Sequence, residues 1–217
     1  MKGSELFFME KMNLDKFQKT LIADAEDNLK HGICVSNLTY LIATEMGLPE
    51  DVRYELSVAG LVHDIGKLQL SRYLYGRAKE KFQVEEMKYM RMHSKLSYDI
   101  LRDYDLSENV LDAVLYHHEN YDGTGYPENL KGEDIPFGAR IMRVADTFTA
   151  LISDRPYRKA FDVDTAMEIM IEDINCYDMQ VFLAFQKVIH EQDTIDLIKE
   201  SKAVECLAEL RKLYEGE

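Results

Sequence analysis

The sequence predicts an all-α fold. Three observations carry that expectation: apolar residues recur at intervals of three and four along nearly the whole chain, only four prolines interrupt its 217 residues, and no sustained apolar–polar alternation bounded by turn signals is found. With 46% hydrophobic residues the chain can bury a substantial core as one domain.

The elements follow in order. A first helix is predicted from Leu14 to Leu29, with Leu14, Phe17, Leu21 and Ala25 on one stripe leading towards His31. A second stripe, Leu38, Leu41 and Ile42, continues to a stop at Gly47. Pro49, Glu50 and Asp51 open the next helix, because proline suits a first turn and acidic groups suit the positive end of the dipole. Its stripe of Val52, Leu56 and Ala59 ends on His63, which puts a polar ring on a core face.

After a charged connection around Arg77 to Lys81, a helix from about Val84 to Arg102 carries His93. Ser107 is a fitting N-cap for a helix whose stripe, Val110, Leu111, Val114 and Leu115, ends at His118 with His117 one step around the cylinder. Asp122-Gly123-Thr124-Gly125-Tyr126-Pro127 reads as a tight loop. Helices are then predicted over Gly138–Ser153, which includes Asp146, and over Val163–Ile174, Asp178–His190 and Ile195–Tyr214. The expected division is an N-terminal extension over 1–20, a main domain over 21–190 and a C-terminal helical extension over 191–217. The terminal stripe of Ala203, Val204, Leu207, Leu210 and Tyr214 can dock on the core or form a homodimer contact, and docking is the expected use.

Charge narrows the function. A formal net charge of −14 opposes binding to nucleic acid polymers and anionic membranes, so a phosphate ligand must be met by a local cationic site. No apolar run approaches membrane-spanning length and the first residues lack a signal-peptide pattern, so a soluble cytoplasmic protein is expected. Cys34, Cys176 and Cys206 are far apart and odd in number, which disfavours a disulfide framework or a thiolate zinc site.

Five of the six histidines, His31, His63, His93, His117 and His118, fall at predicted helix ends or on apolar faces. A single histidine on such a face is usually a hydrogen-bonded core residue. Five together, with acidic neighbours, have the composition of a site for divalent iron, manganese, zinc or nickel.

His63-Asp64-Ile65-Gly66-Lys67 resembles the HDIGK signature of HD-domain phosphohydrolases. The stretch from His117 to Arg158, HHENYDGTGYPENLKGEDIPFGARIMRVADTFTALISDRPYR, resembles the long signature of the HD-GYP subfamily. The resemblance extends from about Asp24 to His190 and implies an HD-domain helical bundle with extra C-terminal helices. It implies His31, His63, Asp64, His93, His117, His118 and Asp146 as ligands to two divalent metal ions, iron first and manganese next, with Asp64 bridging. It also implies Lys67 as a catalytic group holding a phosphate oxygen, and Tyr126, Arg155 and Arg158 as substrate contacts. Some members carry a third metal on an acidic residue four positions before the first histidine. Here that position is Asp27, which shares a helix face with His31 and has a surface role as its alternative. Two stretches depart from the family pattern, residues 68–92 and Asn175-Cys176-Tyr177-Asp178-Met179.

What the resemblance implies is hydrolysis of cyclic di-GMP to pGpG or GMP in bacterial second-messenger signalling, with the GYP loop also open to a signalling protein. The alternatives are a phosphohydrolase of another nucleotide, such as a hybrid cyclic dinucleotide, and a catalytically weak sensor or scaffold. Filled ligand positions disfavour the last.

Overall fold

The computed structural model describes residues 25–74, 90–154, 158–191 and 194–199. The predicted 1–20 extension, the stripe from Leu14 to Leu21, the connection from Arg77 to Lys81, Arg155 and the terminal stripe from Ala203 to Tyr214 lie outside them.

The described residues are all-α. The helices are α1 (25–45), α2 (Glu50–Val62), α3 (Lys67–Leu74), α4 (His93–Leu101), α5 (Glu108–Tyr116), α6 (Phe137–Leu151), α7 (Val163–Glu172), α8 (Met179–His190) and α9 (Thr194–Lys199). Short 3-10 turns lie at Gly132–Asp134 and Ile174–Cys176. Helix α5 packs against α2, α4 and α6, while α6 also packs on α7 and α8. Leu38 and Ile42 of α1, Leu56 of α2, Val114 of α5, and Ile141 and Phe148 of α6 meet in the buried core.

The starts of these helices follow local chemistry. The Ser107 side chain accepts from the Val110 N–H, that of Asp162 from Thr165, and that of Asp178 from Gln180, so three helices satisfy amides their first turns leave open. Pro49 precedes α2 and Pro136 precedes α6, each with the extended ψ that lets a helix begin.

Some boundaries differ from the sequence expectation. Helix α1 runs unbroken through His31, so that histidine is mid-helix rather than beyond a helix end. Helix α4 begins at His93 itself, after a turn at Arg91 and Met92. Helix α5 stops at Tyr116, which leaves His117 as its C-cap and His118 in the following turn. Helix α3 was not anticipated, because its charged and polar residues mask the periodicity.

Three close approaches position the helices that carry His31, His63 and His93. A Cβ on Gly32 would lie 2.4 Å from the Leu61 carbonyl oxygen, and one on Gly60 would lie 2.9 Å from the Ser36 backbone, so α1 and α2 cross nearly backbone to backbone beside His31 and His63. A Cβ on Gly66 would lie 2.4 Å from the His93 carbonyl oxygen and 2.6 Å from the Ser97 nitrogen. The Gly66 N–H donates to Ser97 Oγ at 2.9 Å, which ties the turn after Asp64 to the start of α4.

Gly66→Ala is therefore expected to destabilise the fold by roughly 1–3 kcal/mol, since the obstructing atoms are backbone and cannot rotate away. Urea unfolding checks this. A midpoint equal to that of the unsubstituted protein would show that α4 does not need this contact.

Candidate metal centre

The five histidines and two aspartates converge in one buried cluster. His63 and His117 are fully buried, and His31, Asp64, His93 and Asp146 are nearly so. Ligand atoms fall into three overlapping groups, each with all atoms within 4.8 Å: His31, His63 and Asp64; His63, His117 and Asp146; and His93, His117 and His118. His63 and His117 each belong to two groups, so the three are parts of one centre.

Helix ends orient the rings. His63 Nδ1 lies 2.8 Å from the Gly60 carbonyl oxygen, His93 Nδ1 2.5 Å from that of Met90, and His117 Nδ1 2.6 Å from that of Val114. In each case the acceptor is three residues back. A carbonyl oxygen can only accept, so each Nδ1 carries a proton and Nε2 is the nitrogen that each ring turns to the interior. His31 reaches the same interior from mid-helix, with Nε2 2.8 Å from Asp146 Oδ1.

These nitrogens fit a cation. His93 Nε2 lies 3.3 Å from His117 Nε2 and 3.0 Å from His118 Nε2. With Nδ1 protonated on His93 and His117, their pair sets lone pair against lone pair. Two nitrogens about 2.1 Å from one metal at nearly a right angle stand roughly 3 Å apart, which is the spacing of neighbouring ligands. His31 Nδ1, His63 Nε2 and Asp64 Oδ1 are also buried with no hydrogen-bond partner among the described residues. Asp64 Oδ1 lies 3.3 Å from His93 Nε2, and Asp64 Oδ2 lies 3.4 Å from His63 Nε2, so this carboxylate faces two imidazoles through different oxygens. Residues, donor types and unmet acceptors all suit divalent metal.

Protonation follows the same geometry. Burial holds the His31, His93 and His117 imidazoles below the usual range and takes His118 down to about 3. Burial also opposes charge on His63, but the Asp64 and Asp146 carboxylates outweigh it and raise that imidazole to about 10. Asp64 and Asp146 remain well below the ordinary carboxylate range despite their burial, Asp64 through His63 and Lys67 and Asp146 through His31 and His63.

The other predicted site residues are placed unequally. Lys67 Nζ donates to Asp64 Oδ2 and is partly exposed. The Tyr126 ring stacks on His118, centroids 4.7 Å apart, and the Arg91 guanidinium lies over the Tyr126 ring, 5.4 Å from its centroid. Asp27 is exposed, one turn before His31, and belongs to none of the three ligand groups. Arg158, expected as a substrate contact, has backbone partners in this structure. Its guanidinium donates to the carbonyls of Ala150, Leu151 and Lys159 and covers Phe161, so it is engaged in capping α6.

Sequence reasoning passed over Glu119 and Arg143. Glu119 is buried directly after the paired histidines, and its Oε1 accepts from the Glu128 N–H at 2.7 Å, holding the loop that contains Tyr126. Its position beside two ligands was the available signal. Arg143 stands three residues before Asp146, a spacing that shares a helix face.

Fold and site together define a helical domain built around a buried centre for divalent cations. A family model described as HD domain matches residues 10–181. The chain belongs to the HD-domain family, and it carries the HD-GYP signature within it. It is 36% identical over 160 residues to a cyclic di-GMP phosphodiesterase of Pseudomonas aeruginosa, covering 73% of this chain and 38% of the relative. It is 33% identical over 175 residues to 3'3'-cGAMP-specific phosphodiesterase 3 of Vibrio cholerae, covering 80% and 38% respectively. Among solved structures, Bd1817, an HDG"Y"P protein from Bdellovibrio bacteriovorus, superposes with a TM-score of 0.61 at 18% identity, over 76% of this chain and 53% of that one, a likeness of fold. The chain thus spans less than half the length of these curated relatives. No helix among the described residues is long and apolar enough to cross a membrane.

Metal uptake should release protons. His63 is raised above its usual 6.5, so its protonation contributes stability to the metal-free fold fully below about 6.5, and that contribution is lost as pH rises through about 10. The other four imidazoles are lowered and need shed no proton. At pH 8, titrating manganese(II) into chelator-treated protein should displace about one proton, seen as a binding enthalpy that varies with the ionisation enthalpy of the buffer. Enthalpies equal in all buffers would exclude a protonated His63 between the two carboxylates.

Proposed function

We propose that this chain hydrolyses cyclic di-GMP to pGpG and, by a second cycle, GMP. The carrying observation is the convergence of five imidazoles and two carboxylates, in the HD-GYP signature order, on one buried centre beside a lysine. The cyclic di-GMP phosphodiesterase named among the relatives supports the substrate. Two divalent ions, iron or manganese, are the proposed complement. Asp64 would serve both ions, since its two oxygens face different histidines.

When bound, such ions lower the pKa of water and neutralise charge on phosphate oxygens. The residues do the rest. Asp64 and Asp146, held as carboxylates, and the four lowered imidazoles keep their lone pairs available for the ions. Lys67, at the partly exposed edge, can turn from Asp64 to a non-bridging phosphate oxygen. Tyr126, stacked on His118, would help to orient that ring. In the reaction a water oxygen bonds to phosphorus, the bond from phosphorus to the 3′ oxygen breaks, and the leaving oxygen takes a proton to become a hydroxyl.

A hybrid cyclic dinucleotide is the second reading, favoured by the Vibrio cholerae relative named as specific for 3'3'-cGAMP. The exposed residues Pro127, Glu128 and Asn129 leave the loop open to the signalling protein that the family resemblance suggests. A cytoplasmic setting belongs to the same proposal.

Protein loaded with manganese or iron under reducing conditions is expected to convert cyclic di-GMP to pGpG or GMP, with two metals per chain. Asp64→Ala should lower turnover by about a thousandfold or more, because it removes a ligand shared across the centre. Asp27→Ala should leave two metals bound, as its exposed side chain implies. Undiminished turnover in Asp64→Ala would remove Asp64 from the mechanism, and a preference for 3'3'-cGAMP on a dinucleotide panel would select the second reading.

A further inference from the structure

Arg143 projects from α6 one turn before the ligand Asp146. Its Nε donates to Asn120 Oδ1 and its Nη1 to Thr147 Oγ1, both at 2.8 Å, and its guanidinium lies 5.8 Å from the centroid of the Tyr177 ring. Every one of these partners is neutral. Among the described residues Arg143 makes no ion pair with a carboxylate, whereas Arg140, one turn earlier, is bonded to Asp178 at 2.7 Å. Nη2 has no partner among the described residues. Its partner Asn120 stands two residues beyond His118, and Arg143 itself lies one turn before Asp146, which places it beside the metal centre.

A half-buried guanidinium that is fixed in place yet left uncompensated, in a chain of net charge −14, is unusual. Its planar fork is already ordered by Asn120 and Thr147, so an anion docking on its free edge meets a prepared donor. The centre itself is occupied with one phosphodiester in the proposed reaction. A cyclic dinucleotide brings a second phosphodiester on the same ring.

We propose that Arg143 binds the second, non-scissile phosphate of the cyclic dinucleotide and so positions the first one at the metal centre. This rests on the phosphodiesterase reading for its substrate. It gives the chain a means of preferring a substrate with two phosphodiesters over one with a single phosphate group. The competing role is a staple between α6 and the loop at Asn120, which would move folding stability rather than affinity.

The test compares the full-length protein with Arg143→Gln, which keeps polar contacts but loses the charge, and Arg143→Lys, which keeps the charge. Calorimetry with cyclic di-GMP on chelator-treated protein gives Kd, and turnover with manganese gives KM and kcat. Arg143→Gln should raise Kd and KM roughly tenfold, with a smaller change in kcat and with unaltered metal content and melting temperature. Arg143→Lys should recover part of the loss, and affinity should fall less steeply with salt in the Gln variant. A Kd within twofold of the unsubstituted protein, a loss confined to melting temperature or metal content, or no measurable dinucleotide binding by the unsubstituted protein would each overturn the assignment. Failure of the phosphodiesterase reading would look different: dinucleotide binding with the expected Arg143 dependence but no turnover by the unsubstituted, metal-loaded protein.

Discussion

Carbonyl groups at helix ends govern this centre. Gly60, Met90 and Val114 each take the Nδ1 proton of a histidine three residues on, and those bonds decide which nitrogen of each ring faces inward. They also give work to carbonyls near helix ends that would otherwise be left without intrahelical partners. A buried imidazole normally needs partners for both nitrogens, and here one is met by backbone while the other remains a ligand. The close approaches at Gly32, Gly60 and Gly66 bring the helices carrying those carbonyls near enough for the free nitrogens to meet.

The electrostatics of the cluster follow from its burial. Two carboxylates removed from water cost several kcal/mol each unless paired. In the metal-free state a protonated His63 and the Lys67 ammonium oppose Asp64 and Asp146, so two positive charges balance two negative ones. Replacing the His63 proton with the two divalent cations proposed here changes that sum to four plus one minus two, a net of plus three. The loaded centre would then demand anions, and a hydroxide and a phosphodiester satisfy that demand. Attraction for phosphate thus arises locally in a chain whose net charge repels polyanions.

Much of this was legible in the sequence, for identifiable reasons. The 3.6-residue period gave the helices of the core, and the caps at Ser107, Asp162 and Asp178 follow side-chain chemistry that does not depend on tertiary contacts. The His and Asp residues of the cluster could be named because they are scarce residue types in a distinctive order. Which partners a residue such as Arg158 finds within the fold is not local information. It depends on how the chain leaves α6, and the carbonyls of Ala150 and Leu151 claim its guanidinium. Asp27 and His31 share a helix face by spacing, but spacing says nothing of depth, and the crossing of α1 over α2 buries His31 while leaving Asp27 exposed. Glu119 escaped notice because its use is in holding a loop, and loop closure joins residues nine apart that no periodicity connects.

The same division separates reactivity from selectivity. The buried ligands present nitrogen and oxygen lone pairs that would serve any phosphodiester equally, so they cannot discriminate one cyclic dinucleotide from another. In the proposed reaction discrimination would have to come from groups beside the cluster, and the candidates are held by contacts outside it: Tyr126 on His118, Arg91 over Tyr126, and Arg143 against Asn120. Glu119 connects the two layers, since it follows His118 directly in the chain and bonds the amide of Glu128 beyond the loop. A change in that loop therefore alters the rim without moving the helix-end carbonyls that aim the metal ligands. On the proposed reading, the His and Asp cluster would supply reactivity while the rim would set which cyclic dinucleotide is accepted.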